Sequence, residues 1–271
     1  FSFQELLCQI QGNPLQIVQV VLYGVESILE LIQQAVFKPD LVIPVHLCGQ
    51  SCDMEAIRAL GDEFGFRIVE DASHALGGRY QDGPIGDCRY SDMAVFSFHP
   101  VKLMTSGEGG MLLTRDAALE GRLRRLRSHG VQRDETPFEQ HDKGGWYYEQ
   151  TELGYNYRMT DIQAALGCSQ LQRLDTFVED RHRLAARYET GLADLPLRTQ
   201  HQALDQHSAR HLFVIQVGRG AAMRRALYDA LHGRGIRAQV HYIPLHTQPY
   251  YRQRGFASGD FPRAEHYYAG A

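Results

Sequence analysis

The chain has 271 residues, with 28 Lys and Arg against 32 Asp and Glu, for a formal charge of −4. That balance gives no reason to expect nucleic acid or another polyanion as a partner, and 44% hydrophobic against 22% charged residues is a globular composition, not a disordered one. The length suffices for one large α/β domain, or one domain and a smaller lobe, and no apolar run reaches the roughly 18 residues of a membrane span.

The opening Phe1-Ser2-Phe3-Gln4-Glu5 has no basic n-region and no cleavage site, so no signal peptide is read there. The lack of an initiator Met raises the expectation that the gene begins upstream. Residues 1–37 hold an apolar stretch at 17–22 and a helical-looking segment at 25–37, with no legible function. From residue 41 the pattern sharpens. Residues 41–46 (Leu-Val-Ile-Pro-Val-His) form a short apolar run closed by Cys48-Gly49, which predicts a buried strand. Met54, Ile57, Ala59, Leu60 and Phe64 then recur at helical spacing behind Asp53, a plausible cap. Strands are predicted at 66–70, 93–98 and 110–114, with a basic helix over 117–128. A long helix is expected over 160–189, with Ile162, Ala165, Leu166, Ser169, Leu171 and Leu174 as its buried side. Beyond Pro196 the expectation is a strand at 211–217, a helix at 222–232 and a strand at 236–240. Alternating strands and helices predict an α/β fold with a mainly parallel central sheet over residues 1–190 and a smaller C-terminal α/β lobe over 191–271.

Five cysteines, an odd number spread along the chain, are no disulfide framework and suit a reducing cytoplasm. Cys48 and Cys52 lie four apart, but no second Cys or His pair completes a tetrahedral set, so no metal is expected. The close pairs His207/His211 and His241/His246 lack a zincin-like Glu.

Open α/β sheets present ligand-binding groups at the carboxyl ends of their strands. Glu70-Asp71-Ala72-Ser73-His74-Ala75 follows one predicted strand; Ser97-Phe98-His99-Pro100-Val101-Lys102 ends another, with Gly107-Glu108-Gly109-Gly110 just beyond. An acid at one strand end and a lysine beyond another suit pyridoxal phosphate, where a lysine holds the aldehyde and a carboxylate keeps the pyridine nitrogen protonated. Taken singly, each has a plainer reading. Asp71 is a common turn former, Lys102 an ordinary surface charge, Ser97 a strand-end hydroxyl, His74 a core histidine and the glycines a turn.

Three ordered motifs change the balance: Glu70–Ala75; Ser97-Phe98-His99-x-x-Lys102-x-x-Thr105-x-Gly107-Glu108-Gly109-Gly110; and Gly154-Tyr155-Asn156-Tyr157-Arg158-Met159-Thr160-Asp161-Ile162-Gln163-Ala164-Ala165-Leu166-Gly167. Together the sequence from about 41 to about 268 resembles the DegT/DnrJ/EryC1/StrS family of fold-type I, pyridoxal-phosphate-dependent aminotransferases of keto nucleotide sugars. The resemblance implies that Lys102 carries the cofactor and shuttles the proton, that Asp71 pairs with the pyridine nitrogen, that His74 contacts the ring or its phenolic oxygen and that Ser97 binds the phosphate. It implies a homodimer in which Asn156 reaches the phosphate of the neighbouring subunit. Lysine at 102 favours transamination over the dehydratases of the same family, which carry histidine there.

Arg127-Ser128-His129-Gly130, Gln170–Leu174 and the stretch 238–246 look most like the C4 aminotransferases, including those acting on a UDP-linked 4-keto sugar toward pseudaminic acid. His241 and Tyr242 would then face the substrate, with a structural role open for either. Glutamate is the implied donor. The family's N-terminal phosphate loop and ring-stacking aromatic are not recognisable in residues 1–40, and a helix that closes the small lobe should follow Ala271. The sequence therefore reads as a piece lacking both ends of the family's chain, with weak cofactor binding as the expected result. Two alternatives stay open: a degenerate member serving as a dimerising or binding module, and a lyase or dehydratase on the same scaffold.

Overall fold

The computed structural model describes residues 17–20, 39–133, 144–218 and 220–271. The apolar segment 25–37 and Cys8, and nearly all of the region searched for a phosphate loop, lie outside the described residues. The chain divides into two compact units, Phe1–Glu179 with Leu204–His211, and Asp180–Ala203 with Leu212–Ala271.

Among the described residues, the first unit is built on a five-stranded sheet. In spatial order its strands are β1 (Ile17–Val20), β2 (Leu41–Pro44), β3 (Arg67–Asp71), β4 (Met93–Ser97) and β5 (Gly110–Leu113). β1 through β4 pair in parallel, and β5 joins β4 antiparallel, with Ser97 opposite Gly110. β2 is buried at every position, as expected of a parallel strand covered on both faces. On one face Val42, Ile68 and Phe96 share a core with Ile57, Leu60 and Phe66; on the other, Leu41, Ile43, Val69 and Met93 pack with Leu126.

Two helices follow directly from local sequence. In α1 (Met54–Phe64), Asp53 Oδ1 accepts from Ala56 N at 3.2 Å, and Gly65 closes the helix at φ 75°, in the left-handed region. Its buried Met54, Ile57 and Leu60 each contribute about 1.5–3 kcal/mol. In α2 (Ala117–Arg127), Asp116 caps two amides, and three arginines sit in the last turn, where the helix dipole favours cations.

The expected long helix is two: α3 (Asp161–Leu171), opened by a Thr160/Gln163 capping box, and α4 (Leu174–Leu192), in which the unit boundary falls. The reading of its apolar stripe as buried is corrected. Ile162 is 84% exposed, and Leu166 and Leu171 are also exposed; only Leu174 is buried. Helical apolar spacing shows that a face needs cover, and nothing among the described residues covers this one.

In the second unit β6 (Leu197–Thr199) pairs antiparallel with β7 (Ile215–Val217), accompanied by α5 (Gly220–Gly233) and α6 (Pro262–Gly270). The strand expected at 236–240 is absent. Ile236 N bonds Leu231 O, Ala238 N bonds Ile236 O, and Ala238 O meets His232 Nε2 at 2.8 Å. Those backbone groups are spent on a local turn, which leaves no ladder to extend. No helix among the described residues is long and apolar enough to cross a membrane.

Candidate active site

β3 and β4 lie side by side in parallel with Asp71 opposite Val95, so both motifs emerge at the same, carboxyl end of the sheet. Asp71 is the last residue of β3. Its Oδ1 accepts the amide of Ser73 at 3.1 Å, and the next amide, Ala72 N, donates to Val95 O at 2.9 Å. The carboxylate is thereby tied to the turn it heads while staying partly open to solvent.

One turn further, His74 Nδ1 accepts the Cys48 amide at 3.3 Å, so the ring hydrogen belongs on Nε2. The His74 ring lies 4.4 Å from that of His211, tilted by 45°. Gly49 makes this approach possible. At φ 106°, a Cβ there would lie 2.8 Å from Arg210 N and 3.1 Å from His74 O, too close for any side chain. The segment 206–211 can therefore return across the loop after β2, with Ala209 N bonded to Gly49 O. Cys48, in the same loop, is buried, and burial pushes its thiol up to about 12. At neutral pH the thiol stays protonated, so it is no thiolate nucleophile.

Lys102 sits in the loop after β4. Phe98 O collects Ser106 N and Thr105 Oγ1, both at 3.0 Å, and Lys102 N bonds His99 O at 3.0 Å, folding the loop on itself. Leu103 and Met104 are buried, Leu103 in a cluster with Leu174, Val178 and Ala209. Buried neighbours on one side and exposed Val101 on the other leave the Lys102 stem half-covered. Burial lowers the proton affinity of its amine, and the Asp71 charge acts in the opposite sense. Asp71 and Lys102, apart in sequence, thus share one electrostatic environment.

Ser97 ends β4, two residues beyond the partner of Asp71, and its Oγ accepts the His99 amide at 3.4 Å. Asn156 stands elsewhere in the same unit. It bridges Ser128 at the end of α2, between Tyr155 N→Leu126 O and Tyr157 N→Arg127 O, and is exposed. Among the described residues it makes no hydrogen bond to Asp71 or Lys102. His241 and Tyr242 belong to the second unit. His241 is buried, with Nδ1 2.7 Å from Tyr267 Oη and its proton affinity lowered by burial, while Tyr242 is exposed. A groove of about 800 Å³ runs between β5, α2 and residues 157–159, and Glu108 and Gly109 reach it while Lys102 does not.

Three residues in or near the motifs have partners that local sequence does not reveal. His211 was seen only as half of a His pair, and no local signal ties it to His74. His46 and Glu70 read as parts of strands, yet Glu70 Oε2 and His46 Nε2 lie 2.9 Å apart in the interior. A charged residue inside an apolar strand was the available signal.

The sequence model of the DegT/DnrJ/EryC1/StrS aminotransferase family matches residues 20–271. The spore coat polysaccharide biosynthesis protein SpsC of Bacillus subtilis is 40% identical over 233 residues, covering 84% of this chain and 59% of that protein. The chain thus spans about three fifths of this relative's length. Among solved structures, Helicobacter pylori PseC, described as an aminotransferase involved in the biosynthesis of pseudoaminic acid, superposes with a TM-score of 0.79 at 30% identity, over 89% of this chain and 63% of PseC. The putative sugar aminotransferase Spr1654 of Streptococcus pneumoniae, in its PLP-form, gives 0.77 at 29% identity over 89% and 64%, and a PMP-form matches equally. With the motif residues placed as described and the match running through nearly all of the sequence, the chain belongs to the DegT/DnrJ/EryC1/StrS aminotransferase family.

Proposed function

We propose that this chain carries the pyridoxal-phosphate site of an enzyme that moves an amino group from an amino acid, glutamate in particular, to a keto nucleotide sugar. The observation that carries the reading is the convergence of Lys102 and Asp71 from adjacent strand ends into one electrostatic environment. The residues fit the group: an amine for its aldehyde, a carboxylate for its ring nitrogen and the Ser97 hydroxyl for its phosphate. When bound, pyridoxal phosphate supplies an electrophilic carbon and a ring that accepts electron density. The chain's own side chains do the rest. Lys102, made less basic by burial, is free to act as a base at lower pH than an exposed lysine. It takes the proton from the donor's α-carbon and returns it on the other side of the reaction. Asp71 holds a proton at the ring nitrogen, and His74, with hydrogen on Nε2, offers a donor beside it. The names of SpsC and PseC, one in polysaccharide biosynthesis and one in that of pseudoaminic acid, support a sugar acceptor.

The working unit in this proposal is a homodimer with composite sites. Asn156 is exposed and makes no hydrogen bond to Lys102 in its own chain, and the uncovered stripe Ile162, Leu166 and Leu171 follows it directly along α3. Both features suit a second copy laid against this face.

The test is chemical. The protein is incubated with pyridoxal phosphate and treated with borohydride, and the peptides are mapped. The cofactor should be found on Lys102; fixation at another lysine with Lys102 unmodified would sink the assignment.

A further inference from the structure

The strand end that carries Asp71 is held by a buried polar network that the chemistry above does not use. Glu70 is 4% exposed and His46 0%. Glu70 Oε2 lies 2.9 Å from His46 Nε2, and Ser91 Oγ donates to Glu70 Oε1. Cys52 N donates to His46 Nδ1 at 3.1 Å, which places the ring hydrogen on Nε2, directed at Glu70. Burial works against a charged ring, while Cys52 and Glu70 draw its proton affinity up. The backbone of the same histidine also acts: His46 N donates to Asp71 O at 3.1 Å, and Val45 bridges Asp71 in parallel register.

Stability alone does not account for this arrangement. Replacing both partners of a buried hydrogen bond by apolar residues of the same shape can be nearly neutral or even stabilising. The network supplies direction instead. His46 touches the end of β3 twice, by its ring at Glu70 and by its amide at Asp71. Adjacent side chains of a strand leave on opposite sides, so clamping Glu70 removes the rotation that would swing Asp71. Ser91 and Cys52 anchor the clamp from the loop before β4 and the loop before α1.

We infer that His46 is a positioning residue: through Glu70 and the Asp71 carbonyl it holds the last residue of β3 and so aims the Asp71 carboxylate. The ligand at which it aims, the ring nitrogen of pyridoxal phosphate, rests on the functional reading above; the aiming itself is a property of the chain.

Two measurements test this. In the apoprotein, amide hydrogen exchange is compared at Ala72, beyond Asp71, and at Ile68, earlier in β3 and bonded to Asp92 Oδ2 at 2.8 Å. His46→Ala should speed exchange at Ala72 by about tenfold or more and leave Ile68 unchanged. His46→Gln, which keeps an N–H for Glu70, should restore most of the protection. Equal acceleration at both amides, or none at Ala72, overturns the proposal. Should His46→Ala fail to fold, Ser91→Ala removes one partner of Glu70 with little change in volume and should give the same pattern at smaller amplitude, under the same criteria. The second measurement is a pyridoxal phosphate titration in a double-mutant cycle. His46→Ala should weaken binding by about 10- to 100-fold, as lost supporting partners of ligand-holding groups commonly do. It should cost nothing further on Asp71→Asn. Equal losses in both backgrounds would show that His46 does not act through Asp71. The exchange pattern without any binding of pyridoxal phosphate would overturn the functional reading and leave the role of His46 standing.

Discussion

Lys102 is a residue whose environment costs stability and serves chemistry. Burial lowers its proton affinity, and Asp71 offsets only part of that. The consequence for folding has a definite sign. A lysine with a depressed folded-state pKa is a burden while charged, and the burden lifts as pH rises from the folded toward the unfolded value. Lys102→Met removes it and keeps the stem. The variant should be at least as thermally stable as the parent near pH 7, with a flatter dependence of stability on alkaline pH. In the same preparation amino transfer should fall by at least about a hundredfold, the lower range for loss of a general base. Calorimetry beside a transamination assay checks both. A variant that keeps its activity removes Lys102 from the reaction, and one that loses much stability refutes the account of its burial.

Among the elements, α6 shows how one carboxylate organises its surroundings. Glu265, in its first turn, accepts from Gly259 N at 2.6 Å and Ser258 Oγ at 2.8 Å, and lies 2.8 Å from His246 Nε2. The His246 hydrogen bond, followed by those from Gly259 and Ser258, lowers the carboxyl to about 2. A depressed carboxyl contributes stability that is full above its unfolded value and drains away as pH falls toward the folded one. Glu265→Gln should therefore narrow the stability difference between variant and parent as pH drops from about 4.5 toward 2. Urea midpoints across that window read it, and the effect is small because the site is open to solvent. A constant difference across the window would mean that the carboxyl is not depressed. α3 makes the complementary point. Thr160 and Gln163 form a capping box at its start, whereas the stripe expected to be buried lies open.

For the whole molecule, that open stripe and the exposed Asn156 lead to the same expectation. If the proposed second copy covers α3, then Ile162→Asp should shift sedimentation toward the monomer and take activity with it. Mixing Lys102→Ala with Asn156→Ala subunits should regain part of the activity, since a heterodimer has one site with both residues intact. An Ile162→Asp protein that still sediments as a dimer, or subunits that exchange without any rescue, would place the interface elsewhere.

What could be read without coordinates was whatever is written locally. The apolar run that became β2, the Asp53 cap of α1, and the three motifs around Asp71, Lys102 and Asn156 depend on spacing within a few turns of chain. That much determined the α/β class, the family and the candidate site. Other features came from partners remote in sequence. The strand expected at 236–240 was lost to a turn and the His232 ring, and the long helix became two. His211 met His74 because Gly49 has no side chain to prevent it. The clamp on β3 needs His46, Cys52, Glu70 and Ser91 at once, drawn from separate loops and strands. A periodic pattern records which face of an element must be covered and which groups need partners. Which groups answer is set by packing, and only the tertiary structure decides it.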